Sequence, residues 1–233
     1  MIDPRLDLKK VIRPTLIRLE DSLIMALFER TSFKTNDVIY TRGALETPTS
    51  ESFFDYLFHK TQALHSSVGR FDHPSEIPFF EGLPASIIPR QVEESVLAET
   101  DVNYTAKIRE TYLQAIKDIC EQGDDLHYGS STVSDITCLH TLSNRIHFGR
   151  NVAEAKFQQE PEKYNALIEA GDVEGIDEAL TNAAVEREVL ARVRRKGEKY
   201  SVDPSFVEKF YKDKIIPMTK EVEVDYFLQR GGK

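Results

Sequence analysis

Little in this 233-residue sequence points to a secreted or membrane-bound protein. It has only two cysteines, Cys120 and Cys138, and no Cys-x-x-Cys pair, so it cannot carry a disulfide framework and both thiols are expected to be reduced and buried. No stretch approaches the eighteen or more apolar residues of a membrane-spanning helix. The N-terminal charges are not followed by the apolar segment of a secretory signal. We therefore expect a cytoplasmic protein without membrane attachment.

Glycine, proline and positive charge are also scarce. Eleven glycines and ten prolines are too few for a fibrous or low-complexity protein, and 40% hydrophobic residues are too many for wholesale disorder. Thirty Lys and Arg against 39 Asp and Glu give a formal net charge of −9, which argues against a dedicated nucleic-acid-binding protein. The basic cluster at 191–199 is interleaved with glutamate and is expected to be a solvated helix end.

What the sequence does contain is helical periodicity along most of its length. In residues 14–30, Leu16, Leu19, Leu23 and Leu27 recur at steps of three and four residues, which predicts a helix with a wide apolar face. No window shows the alternation of a β-strand, and no internal repeat is present. We therefore predict an all-α fold, a single-domain multi-helix bundle. Further helices are predicted at about 50–68, 103–121, 131–159, 161–170, 172–179, 181–199 and 204–230.

Prolines mark where the helical pattern is interrupted. Residues 71–90 contain four prolines and must run irregularly. The Phe pair at 79–80 and the Ile pair at 87–88 predict that this segment packs against the bundle. Pro217 predicts a kink within the last helix.

Two cationic residues occur at a helical spacing that could form a binding site. Arg145 and Lys156 are eleven residues apart. In one continuous helix that spacing puts them roughly 20° apart around the axis and about 16 Å apart along it. Two long cationic side chains could hold one small dianion between them. A solvated stripe of charge has the same spacing, so the pattern alone leaves both interpretations open.

Two further pairs have the i, i+4 spacing, namely Asn182 with Glu186 and Thr219 with Glu223. Each pair has apolar neighbours, yet ordinary surface polarity explains such pairs as well as a binding site does. The six histidines form no ligand set, so we expect no metal site. The glycine-rich nucleotide-binding motifs and the common nucleophile motifs are absent as well. Spacing alone therefore does not name a reaction.

Six blocks of sequence resemble one known family. The stretch SNRIHFGRNVAEAKFQ at 143–158 is similar to the central helix of the all-helical chorismate mutases of eukaryotes. The resemblance implies a bundle of the eukaryotic chorismate mutase type, which isomerises chorismate to prephenate on the way to phenylalanine and tyrosine. It also implies a reaction without cofactor or metal, and a homodimer. The Phe-rich segment at 53–80 could bury against the partner chain. The other blocks follow the family's order along nearly the whole chain, at 16–30, 71–80, 128–131, 182–186 and 216–230.

The resemblance assigns carboxylate binding to four residues. Arg13 and Arg145 would clamp the two substrate carboxylates, and Thr219 and Asn182 would assist them. Such a clamp suits a reaction whose flexible substrate must be held in a compact, reactive conformer. Pro14, next to Arg13, departs from the family pattern and could shift the first clamp.

Three further residues would act on the reacting part of the substrate. Lys156 would donate to the ether oxygen and steady a carboxylate. Glu223 would donate to the same oxygen from its protonated form, which needs a pKa raised by burial. Glu186 would accept from the ring hydroxyl. Preorganised donors at the ether oxygen would meet the negative charge that develops there.

The resemblance also implies an effector site. Fungal members of the family are inhibited by tyrosine and activated by tryptophan at a dimer-interface site. That site resembles Arg70, Gly129 and Ser130 here, within residues 69–71 and 126–134.

The candidate effector site departs from the fungal pattern. Gly69 stands where that pattern has a second arginine, and Val133 stands where it has threonine. Leu126 and His127 replace asparagines. The missing arginine and hydroxyl are the polar partners of a tyrosine phenol, and an unpaired buried hydroxyl costs roughly 1–3 kcal/mol. We therefore predict weak or absent inhibition by tyrosine, whereas tryptophan binding stays compatible with the residues present.

Two alternatives to a chorismate mutase enzyme remain open. A catalytically silent family member would act as an interaction or regulatory protein, although it would not need a buried, protonatable Glu223. An isochorismate pyruvate lyase would be a related helical enzyme, although the ordered match across the chain disfavours it. Analysis of the reaction product separates the lyase from the mutase.

Overall fold

The computed structural model describes residues 3–88 and 94–231 of the chain. Within these residues the chain forms α-helices with turns and irregular segments between them, and no β-strand. The predicted all-α fold is confirmed. The helices are α1 (Arg13–Thr31), α2 (Phe53–Ser67), α3 (Thr105–Ile119), α4 (Tyr128–His147), α5 (Gly149–Gln159), α6 (Pro161–Ala170), α7 (Val173–Leu180), α8 (Ala183–Tyr200), α9 (Pro204–Phe210) and α10 (Ile216–Gly231).

The long helix predicted over 131–159 is wrong, because the chain breaks at Phe148 into α4 and α5. Glycine follows the break, and α10 packs closely against this point. A Cβ atom on Gly149 would lie only 2.9 Å from the backbone oxygen of Thr219. The absence of a side chain lets the two backbones approach, while glycine also weakens the helix. Arg145 and Lys156 therefore lie on different helices, and the separation predicted for one straight helix does not apply.

Two wide helical turns precede the prolines inside the helical pattern. The first is Leu8–Ile12, ahead of Pro14, where the carbonyl of Leu8 accepts from the amide of Arg13. The second is Tyr211–Ile215, ahead of Pro217, where the carbonyl of Tyr211 accepts from the amide of Ile216. Each hydrogen bond spans five residues. Proline lacks the amide hydrogen of a regular turn, and its ring crowds the carbonyl four residues earlier, so a wider turn relieves the clash. The kink expected from Pro217 has this form.

The core forms where the apolar stripes of the helices meet. α1 packs along α4, and α10 packs against α5, α6 and α7. Phe54 and Phe58 of α2 are buried in the chain's own core, so these two rings of the Phe-rich segment are not available to a partner chain. Each fully buried aliphatic or aromatic side chain contributes about 1.5–3 kcal/mol. The most buried aliphatic side chains of α1 and α4 are Leu23, Ile24, Leu27, Leu139, Leu142 and Ile146.

The irregular segment predicted at 71–90 is only partly packed against the helices. Phe79 and Phe80 each place their ring centroids 5.1 Å from that of Phe58, as the sequence predicts. The Ile pair at 87–88 is exposed instead, at 77% and 52% of the side chains' full accessibility, so its predicted burial is wrong. Residues 89 and 90 of the predicted segment lie outside the described residues.

A buried charge network ties α1, α3 and α4 together. Arg30 Nε donates to Asp135 Oδ1 over 2.5 Å, and both side chains are fully buried. Tyr112 donates to the same oxygen over 2.8 Å, and Tyr40 donates to the other oxygen over 2.6 Å. A buried ion pair is tolerated when its remaining lone pairs are satisfied in this way.

The cysteines follow the expectation from composition. Cys120 and Cys138 are both buried and free. Among the described residues, no helix has the length and apolar character needed to cross a membrane.

Candidate active site

A cavity of about 410 Å³ lies between α1, α4, α5, α8 and α10. Helices distant in sequence build its wall, and their polar side chains turn inward at one place. The structure therefore brings together every residue to which the family resemblance assigns substrate binding or chemistry. These residues are Arg13, Arg145, Lys156, Asn182, Glu186, Thr219 and Glu223.

The charges that line the cavity are mostly paired with one another. Three pairs are Arg192 with Glu20, Lys220 with Glu186, and Lys156 with Glu223. Among the described residues, neither Arg13 nor Arg145 forms an ion pair. The cavity cations are Arg13, Arg145, Lys156, Arg192 and Lys220, and its carboxylates are Glu20, Glu160, Glu186, Glu188 and Glu223. Arg13 and Arg145 are thus the two cavity cations outside these pairs, and both are left to bind a ligand.

Arg145 is a buried cation with unused donors. It is only 5% exposed, its Nη1 lies 3.4 Å from Thr219 Oγ1, and its Nε has no hydrogen-bond partner. Thr219 in turn donates to the carbonyl of Ile215 over 2.6 Å. The ring centroid of the buried Tyr211 lies 5.9 Å from the guanidinium carbon. Because an uncompensated buried charge is costly, this arrangement favours binding of an anion.

Lys156 and Glu223 form the second element of the site. Lys156 Nζ lies 3.4 Å from Glu223 Oε2 and donates to the carbonyl of Leu180 over 2.8 Å. Burial raises the pKa of Glu223, whereas the charges of Lys156 and Arg145 oppose the rise, and the net direction is upward. The protonated carboxyl, which can donate a hydrogen bond, therefore persists to higher pH than for an exposed glutamate.

Glu186 has an oxygen ready to accept a hydrogen bond. Lys220 Nζ lies 2.8 Å from Glu186 Oε1, but the contact lacks hydrogen-bond alignment, and this buried oxygen has no hydrogen-bond partner. The ammonium instead donates to Thr181 Oγ1 over 2.9 Å. A ligand hydroxyl could therefore donate to Glu186 without displacing the lysine.

Asn182 is the N-cap of α8, one residue before its first turn, and its carbonyl accepts from the amide of Glu186 over 3.0 Å. Its Oδ1 accepts from the backbone amides of Ala184 and Val185, at 3.2 and 3.1 Å. This N-cap satisfies backbone donors that a helix start leaves free. The side-chain amide nitrogen is left to donate to a ligand.

Three charged residues in or beside the cavity wall were not predicted. Glu20 is fully buried and accepts two hydrogen bonds from Arg192, each of 2.8 Å, and one from Lys196 of 3.1 Å. The sequence carried one signal for it, since Glu20 falls between Leu16 and Leu23 within the apolar stripe of α1. Nothing in the sequence marks its two partners on α8.

A second cavity of about 310 Å³ surrounds Arg70. Arg70 Nε and Nη2 each lie 3.1 Å from Glu76 Oε2, and its Nη1 lies 3.2 Å from the Nδ1 atoms of both His65 and His140. Burial and the charge of Arg70 lower the pKa of His140 to about 3, so its ring is neutral near pH 7. Arg70 is thus held by one carboxylate and two imidazoles.

The candidate effector residues are only partly brought together within one chain. Val133 lines the cavity around Arg70, whereas Gly129 and Ser130 are exposed on the first turn of α4 and do not line it. Over 3–88 and 94–231, the structure groups no three side chains that could hold a metal ion.

Comparison with known proteins gives one family. Residues 127–224 match the family described as chorismate mutase type II. A chorismate mutase of Trichoderma parareesei is 42% identical, over 94% of this chain and 91% of that protein. The crystal structure of Aro7p chorismate mutase from Candida albicans in complex with L-Trp is similar with a TM-score of 0.92 and 37% identity, covering 97% of this chain and 92% of that one. The crystal structure of AtCM1 with tyrosine bound in its allosteric site has a TM-score of 0.91 and 38% identity, and 98% of each chain is covered.

Proposed function

This chain belongs to the all-helical chorismate mutases of eukaryotes, and from that premise we propose how its residues carry out the reaction. It is an isomerase that converts chorismate to prephenate. The reaction is an intramolecular [3,3] rearrangement, in which the ether C–O bond breaks while a new C–C bond forms, so no atoms enter or leave. The protein must therefore supply positioning and electrostatic stabilisation.

The observation that carries the proposal is the pair of unpaired arginines. Chorismate has two carboxylates, and the cavity has two cations, Arg13 and Arg145, without carboxylate partners among the described residues. Arg145 holds its carboxylate with Thr219 beside it, and Asn182 adds a neutral donor at the start of α8. Arginine suits this role because its planar donors match a carboxylate. Binding both carboxylates selects the compact conformer in which the reacting carbons are close.

The ether oxygen gains negative charge as its C–O bond breaks. Lys156 donates to it as a cation, and Glu223 donates from its protonated form. Glu186 accepts from the ring hydroxyl through Oε1, the buried oxygen that has no other hydrogen-bond donor. Donors that are already in place stabilise the transition state without reorganisation, which is the main source of acceleration in such sites.

We propose regulation by an aromatic amino acid near Arg70, with tryptophan binding and little response to tyrosine. The relatives bound to tryptophan and to tyrosine support a family effector site. Here Val133 offers no hydroxyl to a phenol, and Gly69 no side chain at all. We further propose a cytoplasmic homodimer of single-domain chains. Exposed apolar side chains near the second cavity support this interface: Leu64, Val68 and Val133 are 63%, 47% and 56% exposed.

The test is chorismate consumption by the purified chain with identification of the product. Prephenate is the expected product, and release of pyruvate would favour the isochorismate-type lyase. Absence of turnover would favour the catalytically silent family member. Repeating the assay with tryptophan and with tyrosine tests the regulatory proposal, and inhibition by tyrosine would contradict it.

A further inference from the structure

Two lysines hold the connection between α7 and α8 against the rest of the site. Lys156 of α5 donates to the carbonyl of Leu180, and Lys220 of α10 donates to the hydroxyl of Thr181. This connection leads directly into Asn182, which begins α8. The position of the start of α8 therefore depends on two ammonium groups from other helices.

Only one of these lysines is free of a direct chemical role. Lys156 is assigned to the ether oxygen, so replacing it would alter the chemistry as well as the contact with Leu180. Lys220 faces Thr181 and Glu186 and has no assigned contact with substrate. It is therefore left to hold the connection while the reaction takes place.

Lys220 also has an unusual relation to Glu186. Its Nζ lies 2.8 Å from Glu186 Oε1 yet gives that oxygen no aligned hydrogen bond, so the charge is balanced while the acceptor stays unused. A hydrogen bond to a carboxylate that keeps its charge is stronger than one to a neutral acceptor. The arrangement prepares Glu186 for a substrate hydroxyl.

We propose that Lys220 is a positioning residue, which fixes Glu186 and the Thr181–Asn182 connection so that the ring hydroxyl of the substrate is recognised. The inference rests on the proposed function, because it assigns the ring hydroxyl to Glu186. Lys220 acts through its neighbours, by tethering α8 to α10 at the edge of the cavity.

The measurement is steady-state kinetics of prephenate formation by the full chain and its variants. Lys220→Met keeps most of the apolar stem but removes the charge and the donors. We expect KM to rise about tenfold while kcat changes by less than about threefold, because a contact made equally in the bound substrate and in the transition state affects binding alone. Lys220→Arg, which keeps the charge and donors, should have a KM close to that of the unmodified chain.

A matched control is a lysine of α3 that pairs with the neighbouring residue of α10. Lys107 forms an exposed ion pair with Glu221, which lies next to Lys220 on α10 and outside the cavity. Lys107→Met removes an equivalent lysine–glutamate pair, and we expect unchanged KM and kcat. A similar KM increase in both variants would show a general effect of α10 stability and would overturn the proposal.

A double-mutant cycle separates positioning from independent substrate binding. If Lys220 acts through Glu186, Lys220→Met should raise KM little further in a Glu186→Gln background. Fully additive effects would show that the two residues act separately and would refute the inference. Should Lys220→Met not fold, Thr181→Val tests the tether alone, and an unchanged KM there would count against it.

The same assays keep the two hypotheses apart. Absence of prephenate with the unmodified chain contradicts the proposed function itself. An active unmodified chain whose KM is unaffected by Lys220→Met contradicts only the role of Lys220.

Discussion

The ammonium of Lys156 and the carboxyl of Glu223 lie 3.4 Å apart within a cavity that buries the carboxyl almost completely. Lysine lowers the pKa of a neighbouring acid, whereas burial raises it, and in this pair burial dominates. The two groups can therefore be donors together at a pH where an exposed glutamate has lost its proton.

The first prediction is a loss of activity at high pH. Because the pKa of Glu223 is raised, its donor form is present below that pKa and disappears as pH rises through it. Glu223→Gln keeps a donor that does not ionise, so kcat/KM should stay level across the range where the unmodified enzyme declines. The measurement is kcat/KM from about pH 4 to 9, a range that begins near the ordinary glutamate pKa and extends well above it. Glu221→Gln, on the exposed side of α10, should keep the unmodified profile, and a parallel decline in Glu223→Gln would remove Glu223 from the donor role.

The second prediction concerns the geometry of the carboxylate clamp. Arg145→Lys retains the charge but loses the planar pair of donors. We expect kcat/KM to fall about a hundredfold, because losing a buried contact to a charged partner costs roughly 2–5 kcal/mol. The same substitution at Arg194, which forms an exposed pair with Glu208, should have no effect on kinetics. Activity within about threefold of normal in Arg145→Lys would argue against bidentate binding.

The third prediction concerns the buried ion pair of the core. Asp135→Ala leaves Arg30 buried without its carboxylate and removes the acceptor of two tyrosine hydroxyls. We expect the free energy of unfolding to fall by about 3–5 kcal/mol, measured by urea denaturation. Lys163→Ala, which breaks an exposed pair with Glu160, should cost less than about 1 kcal/mol. Equal effects of the two substitutions would show that burial does not govern this pair.

The fourth prediction uses two glycines in different surroundings. Gly149→Ala would place a methyl group 2.9 Å from the backbone oxygen of Thr219, so α5 and α10 must move apart. We expect a loss of about 1–3 kcal/mol in unfolding free energy, together with a lower kcat/KM because Thr219 is displaced. Gly129 has no atom within 4 Å of the added carbon, and Gly129→Ala should be neutral or stabilising. Unchanged stability in both variants would contradict the close approach at Gly149.

Local sequence was sufficient for the helices, since an apolar stripe with a period near 3.6 residues is encoded within each segment. The exception at Phe148 shows the limit of this reasoning. The residues of 131–159 favour one continuous helix, whereas the break lies where α10, about seventy residues later in the chain, packs closely against Gly149. Likewise, Glu20 stands out within its own helix, but its partners Arg192 and Lys196 do not.

The sequence by itself determined the helical class and, through its resemblance to a known family, which seven polar side chains line one cavity. Tertiary structure decided how the charges of the cavity are paired, which leaves Arg13 and Arg145 without partners and ties Lys220 to Glu186. It also decided that the pKa of Glu223 is shifted upward. The physical reason is that ion pairing and desolvation depend on distances and burial between helices far apart in sequence, whereas periodicity reports only which face of a single helix is apolar.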